Sequence, residues 1–200
     1  MRLIIATENR GKMREIKKIL RGIKIKTVSL ADLDRTFSIK ETGRTFGANA
    51  YKKAKVVSRY YPDDLVVGED SGLEVFSLDN RPGVFSRRYS GEQATDEKNN
   101  RKLLEELEHC NKRLRGAQYT CAIAAVKNGK LLFACEGNLS GIIGSTPKGR
   151  GGFGYDPVFY LARYKKTVAQ LPLREKNKIS HRARGFKKFK KFLARYLKTA

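Results

Sequence analysis

The feature that most constrains this chain is an apolar run that leads directly into two adjacent acids between glycines. Leu65-Val66-Val67 predicts a short buried strand, and Gly68-Glu69-Asp70-Ser71-Gly72 follows it without a break. Glycine, serine and aspartate favour turns, so we expect the strand to end in a tight turn that holds both carboxylates at the sheet edge. There they could bind a divalent metal ion or activate a water molecule, or they could form an ordinary acidic turn.

Adjacent acids stand out in this chain because it is strongly basic. Its 200 residues include 43 Lys and Arg against 20 Asp and Glu, which gives a formal net charge of +23. Such a charge favours either a nucleic-acid partner held through its phosphates or a positive field that attracts a small polyphosphate ligand. Charge alone leaves both alternatives open.

Length and composition are typical of a globular protein that folds without a disulfide framework. A chain of this size can bury a large core, and its three cysteines, which lack CxxC spacing, predict free thiols rather than a zinc site or a disulfide scaffold. No apolar run reaches the roughly 18 residues that a membrane span requires, and the N-terminus does not resemble a signal peptide. We therefore expect a cytoplasmic protein with no membrane partner.

Hydrophobic periodicity predicts a mixed α/β fold with an antiparallel portion in its second half. Residues 2–6 are predicted to form a buried strand, followed by a polar loop and a helix through Leu20. The alternation of Ile23, Ile25 and Thr27 predicts a second strand. Further helices are predicted over residues 48–60, after the N-cap Thr95 and over residues 186–197, and Asn128-Gly129 predicts a hairpin between residues 119–126 and 130–136.

Two more polar clusters occur in the first quarter of the chain. Thr7-Glu8-Asn9-Arg10-Gly11-Lys12 lies between a strand and a helix, where backbone N–H groups and the helix dipole favour an anion, although the Walker pattern is absent. Glu41, which precedes Thr42-Gly43, could supply another metal-binding carboxylate. The plainer alternatives are a capped turn for the first cluster and a solvent-facing acid for the second.

Two clusters near the C-terminal end have the composition of a ligand site. Gly149-x-Gly151-x-x-Gly154 formally matches a dinucleotide fingerprint, but Asp156-Pro157 opposes the helix that such a fingerprint must open. We expect these glycines instead to let the backbone approach a ligand, with Phe153 or Tyr155 stacking on a base. The second cluster offers donors for carbonyl or phosphate oxygens, or forms a solvated basic face, and comprises Lys176, Ser180, His181 and Arg182.

Taken in order, these blocks resemble the inosine triphosphate pyrophosphatase family, also called the XTP/dITP diphosphatases. Six collinear blocks carry the resemblance and span nearly the whole chain. They are residues 6–12, 41–46, 69–75, 82–91, 151–159 and 179–182.

The resemblance implies both a fold and a reaction. The fold is α/β, a long central mixed β-sheet flanked by helices, with two lobes around an active-site cleft in a single domain over residues 1–200. The reaction is the Mg2+-dependent hydrolysis of ITP, dITP and XTP to the nucleoside monophosphate and pyrophosphate, which removes deaminated purines from the nucleotide pool. The resemblance further implies a homodimer that requires no nucleic acid.

The resemblance also assigns roles to residues of this chain. Asp70 would accept the proton of the attacking water and bind the metal with Glu41, and Glu69 is a further candidate ligand. The triphosphate would be held by Thr7, Glu8, Asn9, Arg10, Gly11 and Lys12, and Ser71 would bind substrate beside Asp70. The nucleoside would contact Phe153, Gly154, Tyr155 and Asp156, and the purine site would be completed by Lys176, His181 and Arg182. Donors that suit a 6-oxo group would be left unpaired by the amino group of adenine.

The sequence departs from the family pattern at two positions. Ala48 stands where the family often has Glu, which leaves Glu41 and Glu69 with a larger expected share of metal binding. Glu69 itself stands where many members have Asp. Two rival interpretations remain, a basic nucleic-acid-binding protein that uses the C-terminal region and a pyrophosphohydrolase of the same fold with another nucleotide preference.

Overall fold

A computed structural model of the chain describes residues 1–199 and contains a mixed seven-stranded sheet flanked by helices. The sheet order is β2-β1-β3-β4-β5-β6-β7. The strands are β1 Leu3–Ile5, β2 Thr27–Ser29, β3 Leu65–Val75, β4 Gly116–Lys127, β5 Lys130–Ile143, β6 Phe159–Leu161 and β7 Lys166–Thr167. The helices are α1 Arg10–Ile19, α2 Phe46–Ser58, α3 Asp96–Glu106, α4 Leu173–Ile179 and α5 His181–Thr199. The predicted α/β fold class, with a mixed sheet flanked by helices, is confirmed.

The parallel part of the sheet is formed by the first three strands. Strand β1 pairs in parallel with β2 and with β3, and all three of its residues are buried. Such burial is expected of a parallel sheet covered on both faces, and it explains the continuous apolar run at the N-terminus. The strand predicted from Ile23, Ile25 and Thr27 is wrong in position, because β2 begins at Thr27, whereas Ile23 and Ile25 pack on a core cluster.

Strand β3 corrects the prediction of a tight turn at the acidic pair. The strand continues for 11 residues through both acids to Val75. A Cβ atom on Gly68 would lie 1.9 Å from the carbonyl oxygen of Ala50, so this glycine allows α2 to pack closely on the strand. The glycine in the motif is therefore required by packing against a helix and not by a turn.

The contacts within the chain divide it into two compact units. Unit 1 contains Met1–Asp70, Cys121–Gly137 and the stretch from His181 onward, and unit 2 contains Ser71–Thr120 and Asn138–Ser180. Unit 1 has one core cluster around Ile16, Val67 and Phe186 and another around Val66. Unit 2 has its own cluster, which includes Leu73 and Phe159.

Local signals fix several element boundaries. Thr95 caps α3 as predicted, since its Oγ1 accepts a hydrogen bond from the Lys98 N–H. Asn128 and Gly129 both have positive φ, as a tight hairpin between β4 and β5 requires. Helix α5 begins at His181, five residues before the predicted start, and the short helix α4 was not predicted. No helix among residues 1–199 is long and apolar enough to cross a membrane.

Candidate functional site

Two carboxylates of unit 1 face the same ammonium group. Lys53 Nζ lies 2.7 Å from Glu41 Oε1 and 3.4 Å from Asp70 Oδ1. Lys53 comes from α2, Asp70 from β3, and Glu41 from the loop that precedes α2. The structure thus brings together the two carboxylates to which the resemblance assigns the metal, and it places a cation between them.

Asn49 fixes the position of this group from one helical turn away. Its Nδ2 donates to Asp70 Oδ2 at 3.0 Å, and its Oδ1 accepts from the Gly43 N–H at 2.7 Å. The amide orientation is therefore determined from both ends, and the loop carrying Glu41 is tied to the strand carrying Asp70. Asn49 and Lys53 had no predicted role, although their spacing of four on one helix face was a usable signal.

The surroundings of Asp70 favour a proton acceptor. Burial raises the pKa of Asp70, the charge of Lys53 opposes that rise, and the nearby carboxylate of Glu41 adds to it, so the pKa lies above its ordinary value. For Lys53, burial lowers the pKa, but the charges of Asp70 and Glu41 outweigh it and leave the pKa raised. A carboxylate with a raised pKa is a stronger base than an ordinary one.

Glu69, the neighbour of Asp70, has the opposite environment. Its Oε2 accepts from Lys12 Nζ at 2.7 Å, and its Oε1 accepts from Arg182 Nη2 at 3.1 Å and from the Cys121 thiol at 3.4 Å. Burial alone would raise the pKa of Glu69, but the charges of Lys12 and Arg182 hold it well below its usual range. Successive residues of a strand point to opposite faces, which explains how adjacent acids acquire opposite environments.

Arg182 is the centre of the network around Glu69. Its side chain is 1% exposed, and its Nη1 also lies 2.6 Å from Glu15 Oε2 of α1. Burial alone would lower the pKa of Arg182, but the two carboxylates raise it, so the guanidinium remains charged. Glu15 was not among the predicted site residues, because a single Glu on a helix gives no sequence signal of burial.

The loop before α1 has the expected cap geometry. Asn9 Oδ1 accepts from the Lys12 N–H at 2.9 Å, and Thr7 Oγ1 accepts from the Asn9 N–H at 3.2 Å. Glu8, Asn9 and Arg10 are exposed at this helix end. The loop therefore presents the positive end of the α1 dipole beside Lys12, as an anion-binding segment requires.

The glycine-rich segment of unit 2 is organised around a buried aspartate. Asp156 Oδ2 accepts from Lys176 Nζ at 2.6 Å and from the Phe153 N–H at 3.0 Å. A Cβ on Gly152 would lie 2.0 Å from that oxygen, and this residue has a φ of +81°, so glycine is required here twice over. Lys176 Nζ also lies 4.6 Å from the centre of the Phe153 ring.

The remaining predicted residues of this segment are held by backbone contacts. The Gly154 N–H donates to Asp96 Oδ2 at 2.6 Å, and its carbonyl accepts from Asn100 Nδ2 at 3.0 Å. Tyr155 is buried and donates its hydroxyl to the Ser86 carbonyl at 2.9 Å. Of the two aromatic candidates, Phe153 is therefore the partly exposed ring and Tyr155 is a core residue.

The donor chemistry of Glu41 and Asp70 fits a hard divalent cation. Mg2+ is usually bound by one or two protein carboxylates, with waters and substrate phosphates completing its coordination. No group of three or more His, Cys, Asp or Glu residues suited to a metal occurs among residues 1–199, so a site made of protein ligands alone is not present there. Glu69 faces two cations, Lys12 and Arg182, whereas Glu41 and Asp70 share the single cation Lys53, which makes Glu41 and Asp70 the better donors.

Comparisons with known proteins give a consistent result. The model of the Ham1 family matches residues 3–192. A dITP/XTP pyrophosphatase of Geobacter sulfurreducens is 46% identical over 184 residues, covering 92% of each chain. Another from Bacillus subtilis is 46% identical over 192 residues, covering 95% of this chain and 96% of the relative. A solved structure of a HAM1 protein from Coxiella burnetii has a TM-score of 0.89 at 36% identity and covers 98% of this chain and 99% of that chain.

Proposed function

The chain belongs to the Ham1 family, and from this membership we propose that it hydrolyses the non-standard purine nucleoside triphosphates ITP, dITP and XTP to the nucleoside monophosphate and pyrophosphate. The relatives named above as dITP/XTP pyrophosphatases support the reaction. The observation that carries the proposal is the group in which Glu41 and the buried Asp70 share one cation and Asn49 orients Asp70.

In this proposal Asp70 accepts the proton of the water that attacks the α-phosphorus. The new P–O bond forms at that phosphorus, and the bond to the oxygen bridging the α- and β-phosphates breaks to release pyrophosphate. The raised pKa of Asp70 and the hydrogen bond from Asn49 support this role, since a base needs both affinity for the proton and a fixed orientation.

Glu41 and Asp70 are the proposed ligands of Mg2+. The bound ion would supply positive charge against the phosphate oxygens and lower the pKa of a coordinated water. Lys53 keeps a positive charge beside both carboxylates, so it would limit the repulsion between them and could also face a phosphate oxygen.

We assign the triphosphate to residues 7–12, supported by the helix end and by the Lys12 ammonium beside it. Ser71 is assigned a substrate contact next to Asp70. For the base, Phe153 has a partly exposed ring. The family resemblance supports the assignment of Lys176, His181 and Arg182, whose N–H groups would match a 6-oxo group. The Gly154–Asp156 segment, in which Tyr155 and Asp156 are buried, would shape the contact with the nucleoside rather than stack on it. The family resemblance supports the homodimer, and we propose a cytoplasmic location as expected from the sequence.

The experiment is to measure pyrophosphate release from ITP, XTP, dITP, ATP and GTP, with Mg2+ and with excess EDTA. We expect metal-dependent release from the three deaminated substrates well above release from ATP and GTP. Faster release from ATP or GTP would show that the enzyme prefers a standard nucleotide and would refute the proposed substrate preference. No release from any of the five would leave the family fold without this reaction and refute the proposal.

A further inference from the structure

Helices α1 and α5 of unit 1 lie side by side and run in the same direction. Arg182, at the start of α5, binds Glu15 in the middle of α1. Lys190, two turns farther along α5, donates to the carbonyls of Ile19 at 3.1 Å and Arg21 at 2.7 Å, at the end of α1. These contacts, with a shared core cluster, make the two helices one surface element.

The outer side of this element carries almost nothing but positive charge. We call it the α1–α5 face and define it by the exposed residues of segments 10–26 and 181–199. Apart from Gly22 and Thr199, every one of them is Lys or Arg. They are Arg10, Arg14, Lys17, Lys18, Arg21, Lys24, Lys26, Arg184, Lys187, Lys188, Lys191, Arg195 and Lys198.

The two segments contribute no exposed acid to the face, although neighbouring segments place Asp32 within electrostatic reach of Lys17 and Glu136, whose carbonyl accepts from Lys188, beside it. The single acid in the two segments is Glu15, which is buried and bound to Arg182. The apolar residues of both helices point inward, where Met13, Ile16, Phe186 and others join the core. A chain with net charge +23 thus concentrates exposed cations on one face of one unit.

We propose that the α1–α5 face binds the phosphate backbone of double-stranded nucleic acid without regard to sequence. Rows of Lys and Arg on a helix pair can contact successive phosphates, and released counterions supply the free energy. Of the thirteen cations of the face, only Arg10 is also assigned to the triphosphate, so nucleic-acid binding by the other twelve is separate from the proposed hydrolysis.

The composition of the face favours a duplex over other anionic partners. Single strands are usually bound by stacking bases on exposed aromatic rings, and this face exposes none among the described residues. Phe192 and Tyr196 of α5 are half-buried, and the rings of Phe192 and Phe133 stack with their centroids 4.6 Å apart. A membrane surface would be favoured by an exposed apolar side that can insert, and the apolar sides of both helices are in the core.

The test measures binding of the whole protein to a fluorescent duplex of arbitrary sequence by anisotropy, from about 50 mM to about 200 mM KCl. We expect micromolar affinity at low salt and a log–log slope of about −4 or steeper, since each phosphate contact contributes about 0.9. Reversing Lys17, Lys18, Lys191 and Arg195 to Glu should weaken binding at least about tenfold and flatten the slope. None of these four residues has a role in the proposed hydrolysis.

A matched control reverses Arg101, Lys112, Arg113 and Arg163 of unit 2, which are exposed and lower the net charge equally. This variant should keep the wild-type slope. Equal losses in both variants would mean that net charge acts without this face, and they would overturn the proposal. No duplex binding at low salt, or binding only to phosphatidylserine vesicles, would overturn it too.

Folding is checked by circular dichroism and not by hydrolysis, so failure of the proposed enzyme activity would not affect this result. Should the reversed variant fail to fold, Gln at the same four positions removes the charges without adding new ones. That variant should show a smaller loss of affinity in the same direction. Wild-type affinity in the folded Gln variant would overturn the proposal.

Discussion

At the scale of single residues, the two neighbouring acids of β3 show how position decides chemistry. Glu69 is surrounded by cations, and its pKa lies well below its usual range, whereas the pKa of Asp70 is raised. The sequence predicted that the pair matters, because two acids after a buried strand are unusual. It could not predict their difference, since the partners of Glu69 include Arg182, 113 residues away.

Replacing Asp70 by Asn tests the proposed proton acceptor. The amide keeps the size of the side chain but cannot take up a proton, so kcat for ITP should fall by about 100-fold or more. Binding of a non-hydrolysable ITP analogue, followed by calorimetry, should persist. Asp63→Asn, at an exposed position, is the control and should leave kcat unchanged. Near-normal turnover in Asp70→Asn would remove Asp70 from the chemistry.

A second residue-scale prediction concerns Asp64, which anchors the N-terminal strand. Its Oδ1 accepts from the Arg2 N–H at 2.6 Å, and its Oδ2 accepts from the Arg2 guanidinium at 2.7 and 2.9 Å. Burial raises the pKa of Asp64, but the hydrogen bonds from Arg2 outweigh burial and leave the pKa lowered. Asp64→Asn should reduce the free energy of unfolding at pH 7 by about 1–2 kcal/mol, a modest value because the Arg2 side chain is 38% exposed.

The sign of the pH dependence follows from the lowered pKa. The stabilisation is fully present above the unfolded pKa of about 3.9 and is lost as the pH falls through the lower folded pKa. The difference in free energy of unfolding between wild type and Asp64→Asn should therefore decrease as the pH falls. Urea unfolding at pH 7 and near pH 3 measures this difference. A difference that stays constant would show that the carboxylate charge is not the stabilising feature.

At the scale of elements, the sequence predicted the type of most segments better than their limits. Strand, loop and helix at the N-terminus, the α3 cap and the Asn128-Gly129 hairpin are confirmed because each depends on local chemistry. The prediction that the strand ends at Gly68 was wrong. This glycine is required by the close packing of α2 and not by a turn, and the sequence near Gly68 does not show that contact. Lys53 and Asn49 were missed as site residues for the same reason, since their contacts with Asp70 depend on the packing of α2 on β3.

Close approach of elements gives a prediction for two glycines. A Cβ on Gly137 of β5 would lie 2.2 Å from the Gly185 nitrogen and 2.3 Å from the His181 carbonyl oxygen, both backbone atoms of α5. Gly137→Ala should therefore reduce the free energy of unfolding by about 1–3 kcal/mol, by overpacking.

Gly47, in the first turn of α2, has free space where a Cβ atom would lie, so the same substitution should have the opposite effect there. Its Cβ would meet nothing closer than 4.0 Å, so Gly47→Ala should increase the free energy of unfolding by as much as about 1 kcal/mol through helix propensity. Urea unfolding of both variants checks the pair. Equal effects of the same sign would contradict the packing argument.

At the scale of the whole molecule, charge is the property that the fold class leaves unexplained. The resemblance predicted the fold and the reaction class without reference to the net charge of +23. The structure shows where part of that charge lies, on the α1–α5 face, and also that Arg182 is paired in the interior. Exposed cations repel one another through solvent, whereas the buried pairs of Arg182 with Glu15 and Glu69 are shielded from salt.

Salt should therefore stabilise this protein, because screening removes more repulsion between exposed cations than attraction within buried pairs. Raising NaCl from about 0.01 M to about 0.1 M shortens the screening length from about 30 Å to about 10 Å, and the urea midpoint should rise over this range. In the variant with Lys17, Lys18, Lys191 and Arg195 reversed to Glu, the urea midpoint should rise less with NaCl. Its net charge is smaller, and the new Glu side chains attract the remaining cations of the face. A midpoint that falls with NaCl in the wild type would show that exposed ion pairs outweigh the repulsion of the α1–α5 face.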